Sequence, residues 1–81
     1  MDVHVAENLW ALSLQPEGVL ERWFVANDEP VHLGQTLAMV MIEQARHEII
    51  APAAGLLHRY AKAGDVIDPG CVIARIDRAN G

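Results

Sequence analysis

An internal repeat limits what this chain can fold into more than any other feature. Asp28-Glu29-Pro30-Val31-His32-Leu33-Gly34 aligns with Gly64-Asp65-Val66-Ile67-Asp68-Pro69-Gly70 at an offset of 36, and the match continues through Gln35-Thr36-Leu37-Ala38-Met39-Val40 against Cys71-Val72-Ile73-Ala74-Arg75-Ile76. Upstream, Gly18-Val19-Leu20 matches Gly55-Leu56-Leu57 at an offset of 37. Each half reads glycine, apolar strand, acidic turn, apolar residue, two further positions, glycine, apolar strand. In 81 residues neither half can bury a face of so short a sheet, so the economical fold sets two half-barrels about a pseudo-twofold axis. The competing reading is a chance likeness between two hairpins. The repeat predicts that Gly34 superposes on Gly70, Val31 on Ile67 and Leu37 on Ile73.

Glycines 18, 34, 55, 64 and 70 divide the chain into short apolar runs that never hold a 3.6-residue period for three turns, which argues for strands. The predicted strands are Val3–Val5, Val19–Val25, Thr36–Ile42, His47–Ile50, Leu56–Tyr60 and Val72–Ile76, rich in Val, Ile and Leu and bounded by Asp, Asn, Pro and Gly. Between the halves, Val40 to Pro52 reads as strand, short polar turn centred on Glu43-Gln44, and strand. With no Gly or Asn at its centre, this turn is expected to be type I-like and not one of the mirror-image types. Predicted core residues are Val19, Val25, Leu37, Val40, Ile49, Leu57, Ile73 and Ile76. The fold class is all-β, a flattened barrel or sandwich of two antiparallel sheets in a single domain over residues 3–77.

Composition removes several function classes. At 52% hydrophobic and 21% charged the chain has the material for a core, and its size leaves no room for a separate cofactor domain. Eleven acidic residues oppose six basic ones, and Arg22, Arg46, Arg59, Lys62, Arg75 and Arg78 are scattered, so nothing collects a nucleic-acid backbone. No run reaches the 18 apolar residues of a membrane helix, and Met1-Asp2-Val3-His4 lacks the basic start of a signal peptide. A lone Cys71 excludes an internal disulfide and fits a reducing, cytoplasmic compartment. His4, His32, His47 and His58 have no ligand companion at metal-binding spacing, so no metal is expected. The expected partner is a protein.

The order Glu17-Gly18, Trp23, Asp28, Val31, Gly34-Gln35, Leu37-Ala38, Val40, Glu43-Gln44-Ala45, Glu48-Ile49, Ala51-Pro52-Ala53-Ala54-Gly55, Gly64-Asp65, Ile67 and Gly70 resembles the lipoyl domains of 2-oxo acid dehydrogenase complexes and the related biotinyl carrier domains. The likeness covers about residues 3–77. It implies a flattened barrel of two antiparallel sheets with an internal pseudo-twofold, and a cofactor carried on a lysine at the tip of the central hairpin. Lipoyl domains usually hold that lysine in an Asp-Lys-Ala turn; the matching residues here are Glu43, Gln44 and Ala45. Met41 stands where the family tends to have an acidic residue, and Ile42 where Thr is frequent.

Glutamine at the attachment position decides the chemistry. Loading lipoate or biotin needs an amine that attacks an activated acyl group, and a glutamine side chain is already an amide without nucleophilic character. The only lysine, Lys62, lies in the turn Ala61-Lys62-Ala63-Gly64-Asp65 and reads as a solvated loop residue. No cofactor is therefore expected at the degenerate position Gln44, flanked by Glu43 and Ala45. The leading expectation is a non-enzymatic module acting through protein interaction, beside a dehydrogenase or carboxylase type multienzyme complex. The alternative is a lipoyl, or less readily biotinyl, swinging-arm carrier in which Gln44 substitutes for lysine. Met41, Ile42, Arg46 and His47 are the candidate partner surface, since flexible methionines suit adaptable contacts. Glu43, His47 and Glu48 lie near one hairpin, but a hairpin tip supplies little concavity for catalysis. Trp10 and Trp23 read as core or seam packing, with a binding platform as the other use. Cys71 reads as a small filler or surface thiol.

Overall fold

Aliphatic runs between turn-forming residues give β-structure throughout the described residues, 1–78, of this computed structural model. The strands are β1 (Asp2–His4), β2 (Gly18–Trp23), β3 (Pro30–Val31), β4 (Thr36–Ile42), β5 (Ala45–Ile50), β6 (Gly55–Arg59), β7 (Val66–Ile67) and β8 (Val72–Asp77), with one 3₁₀ turn at Glu7–Trp10. One antiparallel sheet has the order β1-β8-β6-β3 and the other β5-β4-β2-β7. The two remain separate sheets, so the molecule is a sandwich and not a closed hydrogen-bonded barrel. The two-residue strands β3 and β7, embedded in the acidic turns, escaped the sequence pattern.

Adding or subtracting four from each strand number converts one sheet order into the other. Main-chain bonds correspond in the same way. Leu20 exchanges bonds with Gly64 and Asp65 (2.7 and 2.9 Å), and Leu57 does so with Asp28 and Glu29 (2.7 and 3.0 Å). Phe24 N–H donates to the Leu37 carbonyl at 2.8 Å, and Tyr60 N–H to that of Ile73 at 2.9 Å. Gly34 and Gly70 have φ of 85° and 82°, a region open to glycine at no steric cost. Asp28 takes φ 64° where the other half has Gly64, and Asp is among the few side chains that tolerate it.

The core lies between the sheets. Val25, Leu37, Val40, Ile49, Leu57, Ile73 and Ile76 are buried, joined by Val5, Leu20, Val31, Ile42 and Ile67. Val19, expected inside, is 40% exposed while Leu20 is fully buried. The pleat explains the correction: successive strand residues face opposite ways, and Val19 lies opposite Met41 on the outer face of its sheet. Trp10 is buried; Trp23 is half-buried, with Nε1 donating to the Ala61 carbonyl at 3.0 Å. Both tryptophans therefore serve packing. Gly18 is needed where the chain passes under the β4–β5 hairpin, because a Cβ there would sit 2.9 Å from Ile42 Cγ1 and from the Met41 carbonyl oxygen. That approach brings the segment after Trp10 against the tip end of the hairpin, at Met41 and Ile42.

Candidate functional site at the hairpin tip

β4 and β5 pair from Thr36↔Ile50 to Ile42↔Ala45, leaving Glu43 and Gln44 as a two-residue loop. Glu43 has φ 55°, whereas Gln44 does not have positive φ. Positive φ at the first central residue alone is the pattern of a type II′ turn, so the expected type I-like turn is corrected. A two-residue loop must match the right-handed twist of its strands, and the mirror-image turns do so. That geometric demand outweighs the poor preference of glutamate for the conformation.

The Glu43 side chain compensates. Its Oε1 accepts from Leu14 N–H at 2.7 Å, Ser13 Oγ at 3.0 Å and Gln15 N–H at 3.2 Å. The Leu14 N–H and the Ser13 hydroxyl, with lesser help from Gln15, outweigh desolvation and hold the carboxyl below its ordinary value. One carboxylate thus fastens the segment 13–15 to the hairpin. Leu12 and Leu14 project from that fastened segment, each 99% exposed.

Gln44, at the second loop position, is exposed, as are Ala45 and Arg46. Met41 is half-buried on the outer face beside Arg46, whose Nε lies 3.1 Å from Glu21 Oε2. Ile42 does not belong to a partner surface: it is 2% exposed, with its side chain in the core. Strand parity accounts for the difference, since Ile42 shares the inward face with Val40 and Met41 does not. His47 is half-buried on the core side of β5 and lines a groove of about 340 Å³ with Leu9, Leu12, Ile42 and Ala45. Glu48 is on the other face, where Oε2 accepts from Thr36 Oγ1 at 3.3 Å. The hairpin therefore does not bring Glu43, His47 and Glu48 into one constellation. Among the described residues no group of three or more His, Cys, Asp or Glu side chains is arranged to hold a metal.

Two features had no local signal. The Glu43 clamp joins residues about thirty positions apart. On the other sheet His58 sits between two carboxylates, Nδ1 2.8 Å from Asp28 and Nε2 2.8 Å from Asp77, while Arg75 holds Asp77 through contacts of 2.9 and 3.1 Å. Desolvation works upward on the Asp77 carboxyl, but Arg75 and His58 together outweigh it and leave the group below its ordinary value. Cys71 is half-buried against the core. Its main chain bonds to Asp68 and Val5 as that of Gln35 bonds to His32 and Ala51.

Two four-stranded sheets with interchangeable strand order, and a two-residue hairpin loop on one of them, define the architecture of the group-carrier modules. The chain belongs to the biotinyl/lipoyl family: the family model described as Biotin-requiring enzyme matches residues 13–76. A comparison with curated proteins finds no match. Domains of this family carry groups for partner enzymes and are not themselves catalytic. Gln44, exposed at the second position of the hairpin loop, carries a primary amide, which has no nucleophilic nitrogen to acylate.

Proposed function

We propose that this chain is a cofactor-free member of the biotinyl/lipoyl family that acts through protein contact, beside a multienzyme complex of dehydrogenase or carboxylase type. The observation that carries the reading is the exposed Gln44 at the hairpin tip, on a scaffold whose strands otherwise present that tip intact. Lys62 supplies no substitute. It stands in a tight turn whose main-chain N–H donates to Asp65 Oδ2 at 2.8 Å, outside any hairpin of the β4–β5 kind. The contact surface comprises Met41, Arg46 and His47 together with Leu12 and Leu14. Two fully exposed leucines on a fastened segment are apolar area available to a partner without an ordering cost at binding.

The test is a gain of chemistry. Gln44→Lys, produced in a host with active lipoyl and biotinyl ligases, is expected to acquire a lipoyl or biotinyl group at residue 44, measured by intact mass and peptide mapping. A variant that neither ligase modifies contradicts the view that only the nucleophile is missing.

A further inference from the structure

The four sheet edges are unequal. β1, β3 and β7 present edges of three, two and two residues, while β5 presents six. Short edges are one way proteins avoid unwanted strand pairing, and β5 is the exception. Its orientation follows from the hairpin register. Ile42↔Ala45 closes the two-residue loop as a hydrogen-bonded pair, so Val40↔His47 and Ala38↔Ile49 are bonded pairs as well. The main-chain groups of Arg46 and Glu48 consequently point away from β4. Among the described residues, no backbone bond outside the strand ladders satisfies them.

We propose that, in the chain free of any partner complex, β5 pairs with β5 of a second copy, antiparallel about a twofold axis at His47 and over part of the contact surface named above. In that register Arg46 faces Glu48 of the other copy, and Glu48 faces its Arg46. Both are outward-pointing residues, so the two pairs form four main-chain hydrogen bonds and extend the sheet β5-β4-β2-β7 into one of eight strands. Their side chains share the outer face and meet as opposite charges. A lone charge on an edge discourages pairing, but the order Arg46, His47, Glu48 is self-complementary when read antiparallel. The existing contacts of Arg46 with Glu21 and of Glu48 with Thr36 are exposed and weak enough to yield or be shared. On the inner side, the apolar groove between Leu9, Leu12, Ala45 and His47 runs beside this edge. The second strand closes it and covers Leu12, now 99% exposed.

Sedimentation equilibrium of the 81-residue chain, from micromolar to millimolar concentration, is expected to show a monomer–dimer equilibrium. Amide exchange of Arg46 and Glu48 should slow as concentration rises. Arg46→Glu turns two unlike pairs into two like ones and should raise the dissociation constant about tenfold or more. The double exchange Arg46→Glu with Glu48→Arg re-creates both unlike pairs and should restore the parent value to within about threefold. Glu21→Gln, which removes only the contact within one copy, should leave the dimer in place. All three substituted residues have solvent-accessible side chains, and an unchanged amide spectrum outside β5 verifies the fold of each variant. A parent chain that stays monomeric to millimolar concentration overturns the proposal. So does a dimer indifferent to Arg46→Glu, or one that the double exchange fails to restore.

Discussion

Leu37→Ala and Ile73→Ala probe the two halves at equivalent places. Both side chains are fully buried, on β4 and β8, and each residue's carbonyl accepts the bond that turns the chain after the neighbouring strand, from Phe24 and Tyr60 respectively. Leu→Ala removes three carbons, which at about 0.8 kcal/mol per buried methylene gives roughly 2.4 kcal/mol of lost transfer energy. The cavity adds to this within the observed range of about 2–5 kcal/mol, so roughly 3 kcal/mol is expected for each. At about 0.05–0.15 kcal/mol per residue, the whole domain has only about 4–12 kcal/mol. Either change should therefore lower Tm by more than about 10 °C, given a shift of about 4–8 °C per kcal/mol in a domain of this size. Urea unfolding of the parent, both variants and Leu12→Ala would measure it. The exposed Leu12 should move by no more than about 0.5 kcal/mol. Losses below about 0.5 kcal/mol at both Leu37 and Ile73 would refute the placement of the core and with it the equivalence of the halves.

Gly55→Ala should cost about 2 kcal/mol or more by thermal unfolding, because its Cβ would meet the main chain of Asp77 and Ile76 Cγ2, the latter at 2.9 Å; a neutral result would mean that β6 and β8 separate easily. Acid should weaken the fold through Glu43 and Asp77. Both carboxyls lie below their ordinary values of 4.5 and 3.8, so their stabilisation is present above those values and is lost as pH falls through the lower folded-state values. In Glu43→Gln the urea midpoint should fall less between pH 5 and pH 3 than in the parent, roughly in proportion to the single carboxylate removed; an identical acid slope would show that the clamp does not persist in solution.

How much of this could be read from the sequence depended on the distance over which each feature is determined. Strand positions, the Glu43-Gln44 turn and the exposure of Gln44 follow from local punctuation by turn residues and apolar runs. Side-chain parity is less local. Val19 faces outward although Val25 faces inward, because a bulge between Leu20 and Arg22 shifts the alternation between them, whereas Ile42 simply keeps the inward parity of Val40. The turn type is set less locally for a related reason: residue preference at Glu43 favours type I, while the twist of two paired strands demands its mirror class. Contacts assembled by topology left no trace in the sequence. Glu43 reaches Ser13 and Leu14, and His58 bridges Asp28 and Asp77, only because separate segments are folded together.

The central claim is that this scaffold carries no prosthetic group, and the mass of the unaltered chain tests it most directly. Protein purified from a host with active lipoyl and biotinyl ligases and ample lipoate and biotin should have the mass of its 81 residues, allowing only for processing of Met1. An added lipoyl or biotinyl mass, mapped to Lys62 or to any other residue, would contradict the account.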